Sequence, residues 1–298
     1  ISDPQQRGDF NLAQSEGFMW QVDLTASYNN VFHGIHFLSL NARMTANDSR
    51  NSVYGVLVTG FPNDRMDHIL FGKKYNEKMT GSENTNRSIG WVGSFNYSYD
   101  YRYSLDLNIR ADGASQFGSN NRFAPFWSVG AKWNISKESF MDKMDFWNDL
   151  VLRVSYGTTG TQGFAPYQSQ QLYTYGNLLK PYLASDATGT ELVGLGNPDL
   201  KWQQTNQTNV AIEMGWLQGR ITARAEYFRK VTKNALTDIS LAPSVGFATV
   251  SENLGTIRNQ GVELMLSFIP YRNTEKAAQW VINANGSHNT DKLVKISQ

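Results

Sequence analysis

From Tyr103 to Asp112 the chain alternates without a break. Tyr103, Leu105, Leu107, Ile109 and Ala111 are apolar, whereas Ser104, Asp106, Asn108, Arg110 and Asp112 are polar. An extended backbone sends successive side chains to opposite faces. A period of two therefore makes a strand with one apolar face and one face carrying three charges. A helix would scatter the same residues around its circumference. One such strand is ordinary, but this pattern recurs about ten times along the chain. Whatever the chain folds into must give a long ribbon hydrocarbon on one side and water on the other.

The alternation predicts strands at 17–29, 31–47, 87–99, 103–112, 123–136, 149–157, 202–216, 220–235, 256–269 and 279–290. Trp127, Val129, Ala131, Trp133 and Ile135 oppose Ser128, Gly130, Lys132 and Asn134 in the fifth. Ile221, Ala223, Ala225 and Tyr227 oppose Arg220, Thr222, Arg224 and Glu226 in the eighth. Tight turns are expected at Asn29-Asn30, Asp100-Tyr101-Arg102 and Leu217-Gln218-Gly219, where Asn and Gly tolerate positive φ. Residues 137–148 can hold a short helical turn. In order, the connections are short, long, short, medium, medium, long, short, long and medium. Every second one is brief or modest, and the others include the three longest.

Short turns at one end and long loops at the other, joined by dyad strands, describe an antiparallel transmembrane β-barrel wall of the outer-membrane type. The long loops, about 48–86, 113–122, 158–201 and 238–254, then all fall on the extracellular side. Aromatic residues give a second line of argument. Trp20, Trp91, Trp127, Trp133, Trp147, Trp202, Trp216 and Trp280 lie near strand ends, and Tyr28, Tyr97, Tyr99, Tyr101 and Tyr103 gather around short turns. Amphipathic rings favour the headgroup level of a bilayer. No run approaches the roughly 18 apolar residues of a spanning helix. The mean hydropathy of −0.45 is what alternating strands produce, because half of each faces a polar lumen.

Composition removes other classes. The formal net charge of +1, with Lys and Arg scattered, gives no electrostatic case for nucleic acid. The absence of cysteine removes disulfide frameworks and thiolate metal sites. The chain starts at Ile1 with no basic-then-apolar leader, and we expect it to be a piece of a longer precursor forming one barrel-type domain over 1–298.

Several segments then resemble one family. Asn197-Pro198-Asp199-Leu200-Lys201-Trp202, followed by Gln204-Thr205-Asn206-Gln207-Thr208-Asn209, is similar to the motif that opens a late strand in SusC/RagA-type TonB-dependent transporters. Arg110-Ala111-Asp112-Gly113-Ala114-Ser115 with Phe117-Gly118-Ser119-Asn120-Asn121-Arg122 resembles a second family motif, and Arg153-Val154-Ser155-Tyr156-Gly157-Thr158-Thr159-Gly160 a third. Glu226-Tyr227-Phe228 before Lys233, and Asn259-Gln260-Gly261-Val262-Glu263, resemble two more. These five stand in the family's order over roughly 87–290; the first eighty residues resemble it only loosely. The resemblance implies about ten strands of a barrel of about 22, open as a fragment, whose lumen is plugged by an N-terminal domain that this sequence lacks. It also implies a SusD-type surface lipoprotein as lid, coupling to the TonB complex through the missing N-terminal part, outer-membrane lipid around the wall, and an oligosaccharide or peptide as cargo.

Candidate residues follow from the faces and loops. Arg110, Asp112, Lys132, Arg153, Glu213, Arg224, Glu226 and Glu263 fall on the polar, lumen-facing side. They can pair with each other and with a plug, or take a direct part in solute passage. Arg224 and Glu226 can pair with each other or across strands. In the loop 158–201, Phe164, Tyr167, Tyr173, Tyr175 and Tyr182 stand among amides and carboxylates. That mixture suits stacking and hydrogen bonding to a sugar or peptide, and equally packing against a lid. Gly113 and Gly118 are expected in tight turns, Pro198 just before a strand, and Gly261 at a bulge or close approach. We expect no cofactor and no metal. His33, His36, His68 and His288 have no zinc spacing, and Asp64, Asp67 and Glu77 have no EF-hand spacing. The Gly157–Gly163 run lacks the Lys-Ser/Thr of a phosphate loop. With no nucleophile–base pair to nominate, the expectation is binding and transport without covalent chemistry.

Overall fold

The computed structural model describes residues 7–75, 79–144, 146–161, 167–175, 189–273 and 277–296. Thirteen strands run β1 (Asp9–Phe32), β2 (His36–Thr59), β3 (Lys74–Tyr75), β4 (Thr80–Tyr99), β5 (Tyr103–Ala114), β6 (Phe123–Asn134), β7 (Trp147–Thr161), β8 (Leu172–Tyr175), β9 (Thr190–Gly194), β10 (Gln203–Trp216), β11 (Ile221–Ser240), β12 (Thr249–Asn273) and β13 (Ala278–Lys295). Ten of these pair in the order β1-β2-β4-β5-β6-β7-β10-β11-β12-β13, while β3 pairs β2 and β8 pairs β9. All ten were legible from the period of two. Each long strand pairs its sequence neighbours among the long strands, and the path ends at β1 and β13 without their pairing among the described residues. No helix there is long and apolar enough to cross a membrane; the apolar surface lies on the strands.

The apolar faces line up in register. Leu105 stands opposite Ala131, Ala131 opposite Val154, Val154 opposite Val210, Val210 opposite Tyr227 and Tyr227 opposite Val262. Among the described residues nothing packs over this surface in a core. Leu105, Leu107, Ile109, Val262 and Leu264 are all exposed, Ile109 at 65%. An exposed, continuous apolar surface of this extent marks an interface.

The strands outrun their expected ends. β2 and β4 shorten the predicted 48–86 loop to 60–79, and β11 and β12 shorten 238–254 to 241–248. The reason lies on the apolar face itself. Beyond Phe18, Met44 and Ile89 its positions become Glu16, Asp48, Arg50 and Arg87, so the alternation disappears while the backbone ladder continues. The apolar stretches, 18–28 on β1 and 89–99 on β4, match the roughly 9–11 tilted residues that cross a hydrocarbon layer.

The short turns need left-handed backbone. Asp100 and Tyr101 have φ of 48° and 54°, and Leu217, Gln218 and Gly219 have 52°, 56° and 75°. The first turn is not at Asn29-Asn30, which remain in β1. It falls at His33 and Gly34, with φ of 51° and 72°, because the ladder holds to Phe32. Among the described residues of 137–148 there is no α-helix. A 3-10 turn at Ile135–Lys137 leads into further tight turns.

Contacts divide the chain into two units, Ile1–Val22 with Ala46–Ser88, and Asp23–Thr45 with Ile89–Gln298. In the first, Val58 is fully buried, and a Cβ on Gly72 would collide with it. Asp48 is 5% exposed and paired with Arg87 at 2.9 Å and Arg50 at 3.4 Å. In the second, Ala114, Phe117 and Leu200 form a small core against which Trp202 and Leu236 pack.

Candidate functional site

The polar face is a connected surface. Arg43 reaches the Asp23 carboxylate at 2.7 Å, as does the Thr45 hydroxyl. Asn41 donates to Ser39 and Ser94, Ser104 to Ser98, and Asn108 to Ser128. Arg110 and Asp112 pair with each other. Further along, Glu213 joins Arg153 at 3.0 Å to Arg224 at 3.8 Å, and Arg224 continues to Glu226 at 2.6 Å. Both alternatives for Arg224 are therefore realised, the same-strand pair and the cross-strand pair.

Register gives this face its polarity. Lys132 stands opposite Arg153, Arg153 opposite Ala211, Ala211 opposite Glu226, and Glu226 opposite Glu263. One row thus runs from two cations on β6 and β7 to two carboxylates on β11 and β12. Four strand spacings of about 4.8 Å separate its ends, or about 19 Å. Like charges directly opposite are unfavourable, and the diagonal Arg153–Glu213–Arg224–Glu226 chain relieves the inner members. Among the described residues, Lys132 and Glu263 have no ion pair. Such a surface holds water or a polar solute, or faces a second polar surface.

Above the band, two motif segments close on each other and on the tops of β11 and β12. The Gly118 amide donates to the Leu200 carbonyl at 3.1 Å. Asn120 donates to the Asp199 carboxylate and Asn121 to the Asp199 carbonyl. Phe117 stacks on Trp202 with ring centroids 4.1 Å apart, and Phe126 meets Trp202 edge-on at 5.7 Å. Asn253 accepts from the Lys201 amide and donates to the carbonyls of Lys201 and Asn234. Asn234 has φ of 58° and sits where the β11–β12 register shifts. Asn197 and Gln168 both donate to Ser251, whose hydroxyl donates to Asp238. This clasp ties the β5–β6 loop, the entry to β10 and the tops of β11 and β12 together.

The clasp gives a reason for two glycines. Gly113 lies within β5 rather than in a turn, whereas Gly118 does open a tight turn, accepting from the Asn121 amide at 3.0 Å, and neither has positive φ. They are glycines because a Cβ on Gly113 would strike the Phe123 ring, and one on Gly118 the Pro198 carbonyl. Gly261 is a close approach, to the His288 carbonyl and the Phe228 ring, and Pro198 does precede a strand. Of the clasp residues, Phe117, Leu200 and Trp202 stood in the family motifs without a packing role, and Ser251 and Asn253 were not singled out from sequence. They lie at or beyond strand ends, where periodicity carries no signal, and the shared Asn/Asp content of the motifs was the only hint.

Of the loop aromatics, Phe164 and Tyr182 lie outside the described residues. Tyr167 has φ of 64°, Tyr173 is exposed and donates to Gln171 at 3.1 Å, and the backbone of Tyr175 pairs with Thr190. His36 is bonded to the Tyr97 hydroxyl at 2.7 Å, with His33 edge-on 6.4 Å away. Among the described residues no group of His, Asp and Glu converges to hold a metal.

Two carboxylates outside the band titrate unusually. Burial alone would raise the Asp48 pKa, but hydrogen bonds and charge from Arg50 and Arg87 outweigh it and hold it below the ordinary range. Glu138, at the short-turn rim, is held down by the Tyr103 hydroxyl and the Trp133 indole N–H, then by Arg102.

Comparisons with known proteins follow the same lines. A family model described as TonB dependent receptor-like, beta-barrel, matches residues 2–294, including the first eighty that carried little motif signal. TonB-dependent receptor P39 of Formosa agariphila is 29% identical over 238 residues, 80% of this chain and 22% of that protein. TonB-dependent receptor SusC of Bacteroides thetaiotaomicron is 30% identical over 224 residues, 74% of this chain and 22% of that protein. The RagAB peptide importer in its closed-closed state superimposes with a TM-score of 0.87 at 27% identity, over 97% of this chain and 32% of that one. The chain thus spans about a fifth to a third of the length of these relatives.

Proposed function

The chain belongs to the TonB-dependent receptor-like β-barrel family, and on that premise we propose that the whole protein imports a nutrient, an oligosaccharide or a peptide, across the outer membrane. It works by binding and gated translocation, without covalent chemistry. The observation that carries this reading is the two-solvent ribbon: an apolar face in register across six strands, backed by a polar face running from Lys132 to Glu263. The band contacts outer-membrane lipid, and the polar face lines the lumen and contacts a plug. The clasp and the segments 115–122, 167–175, 189–202 and 241–248 face outward, where Tyr167, Tyr173 and their neighbours meet cargo or a SusD-type lipoprotein lid. Energy comes from the TonB complex through parts of the protein outside this chain.

The test is made on the full-length protein in its own cells. Outer-membrane fractionation, heat-modifiable gel migration, and nutrient uptake that stops with a protonophore or on loss of the TonB complex are expected. Uptake that survives de-energisation would replace the importer with a passive porin, and a soluble product would end the barrel reading altogether.

A further inference from the structure

The β6–β7 connection does more than cross the short-turn rim. It coils through four successive tight turns, in which Glu138 donates its amide to Ile135, Met141 to Glu138, Met144 to Met141 and Trp147 to Met144, at 2.8–3.0 Å. Its position is fixed from the apolar side of the ribbon. Tyr103 and Trp133 stand opposite each other on the apolar face, and both donate to Glu138, Trp133 at 3.1 Å. Arg102 adds an ion pair at 3.6 Å, and Met141, only 8% exposed, is tucked beneath.

So pinned, the segment exposes what a loop in water would hide. Phe140, Met144 and Phe146 are 56%, 49% and 58% exposed. Phe146 meets Trp147 edge-on at 6.0 Å, and Trp147 lies 5.0 Å from Trp216, so the rings continue the aromatic rim of the band. Lys137, Phe140, Lys143 and Phe146 recur every third residue, the rhythm of the turns, and all four are exposed. The segment also carries Glu138, Asp142 and Asp145, so it is not cationic; what points to an interfacial anchor is its exposed rings at the edge of a hydrocarbon-facing surface, with lysines long enough to reach lipid phosphates. A protein partner entering from the lumen would meet the opposite face.

We propose that the segment Lys137–Met144, with Phe146, lies in the headgroup region of the bilayer leaflet at the short-turn end. There Phe140, Met144 and Phe146 enter the acyl boundary, and Lys137 and Lys143 contact phospholipid phosphates. The anchor rests on the membrane-wall reading above, and the experiment separates the two. This chain has no cysteine, so Phe140→Cys and Met144→Cys introduce unique thiols into this region. They are made in full-length protein otherwise freed of cysteine, folded into vesicles of phosphatidylethanolamine and phosphatidylglycerol, and labelled with a nitrobenzoxadiazole probe. Leu105→Cys marks the apolar face and Asn108→Cys the polar face. With a doxyl spin label near the lipid headgroup, the probes at 140 and 144 are expected to lose about half or more of their emission. K137E/K143E reduces that quenching more in anionic vesicles than in zwitterionic ones. If both probes stay as bright as the one at 108 while the one at 105 is quenched, the anchor is wrong and the wall stands. If the probe at 105 also stays bright, the wall reading fails and the anchor with it.

Discussion

Phe117→Ala is the sharpest test of the clasp. The Phe117 side chain is 1% exposed and stacks on Trp202 at 4.1 Å, beside fully buried Leu200. Truncating a buried Phe to Ala removes its transfer free energy and leaves a cavity, together about 3–5 kcal/mol. The lost ring pair accounts for about 0.5–1.5 kcal/mol of such an effect. The surroundings limit relaxation. Gly118 is pressed against the Pro198 carbonyl, and the Asn120 and Asn121 bonds to Asp199 hold the other wall. The upper half of the range is therefore expected. Full-length protein folded in detergent would be unfolded in urea and followed by tryptophan emission, which Trp202 ties to the clasp, with protease nicking near 115–122 as a second readout. Val245→Ala, at an exposed loop side chain, is the control and should fall within about 0.5 kcal/mol of wild type. A Phe117→Ala protein as stable and as protease-resistant as wild type would refute the idea that these motifs converge to build a local core.

Other expectations follow from the two faces. Leu107→Arg on the apolar side should cost about 2–4 kcal/mol or block membrane assembly, while Asn108→Arg next to it assembles normally; equal outcomes in a vesicle-folding assay would contradict the face assignment. Glu213→Gln removes a carboxylate shared by Arg153 and Arg224, but all three side chains are 30–46% exposed, so its loss should cost no more than about 1 kcal/mol per pair. A shift in urea midpoint equivalent to several kcal/mol would mean the row is structural cement. The Glu138 carboxyl titrates below its ordinary 4.5, so the unfolded chain takes up its proton first as pH falls. Its stabilising contribution is complete above that ordinary value and disappears as pH drops through the lower folded one. Midpoints of wild type and Glu138→Gln, measured from about pH 6 down to about pH 3, should converge at the acid end; parallel curves would remove the effect.

The band was legible because a bilayer enforces a period of two: every residue from Tyr103 to Asp112 had to choose a face, and the sequence records the choice. Strand ends were not legible, because the constraint stops where hydrocarbon stops. At Asp48, Arg50 and Arg87 both faces are polar, so the pattern vanishes although hydrogen bonding continues. The turn at His33-Gly34 was misplaced to Asn29-Asn30 because residue preference was weighed without the partner strand. Gly113 was likewise placed in a turn although it stands in β5, and at Gly113 and Gly118 the structure uses glycine to let Phe123 and the Pro198 carbonyl come close. Parity alone put the charged residues on one polar face, but the polarity of their row needs register, which no single strand contains.

Register also explains why the chain has so few buried residues yet such regular order. Within the band the backbone ladder is complete and the side chains of one face are left for lipid, so no second layer is needed there. Beyond it that solvent is gone, and a bare two-faced ribbon would have only its ladder. In each unit the structure supplies a local substitute at that point. In the first, Asp48 is enclosed by Arg50 and Arg87, a carboxylate whose burial is offset by paired charge. In the second, Phe117, Leu200 and Trp202 build an apolar core from loop residues, with Asn197, Asn253 and Ser251 saturating the backbone around them. Two of the five family motifs, 110–122 and 197–209, thus build the core beyond the band, whereas Val154, Tyr227 and Val262 of the other three stand in the apolar row itself. The motifs at the strand tops carry residue-specific contacts, and the band carries only the alternation.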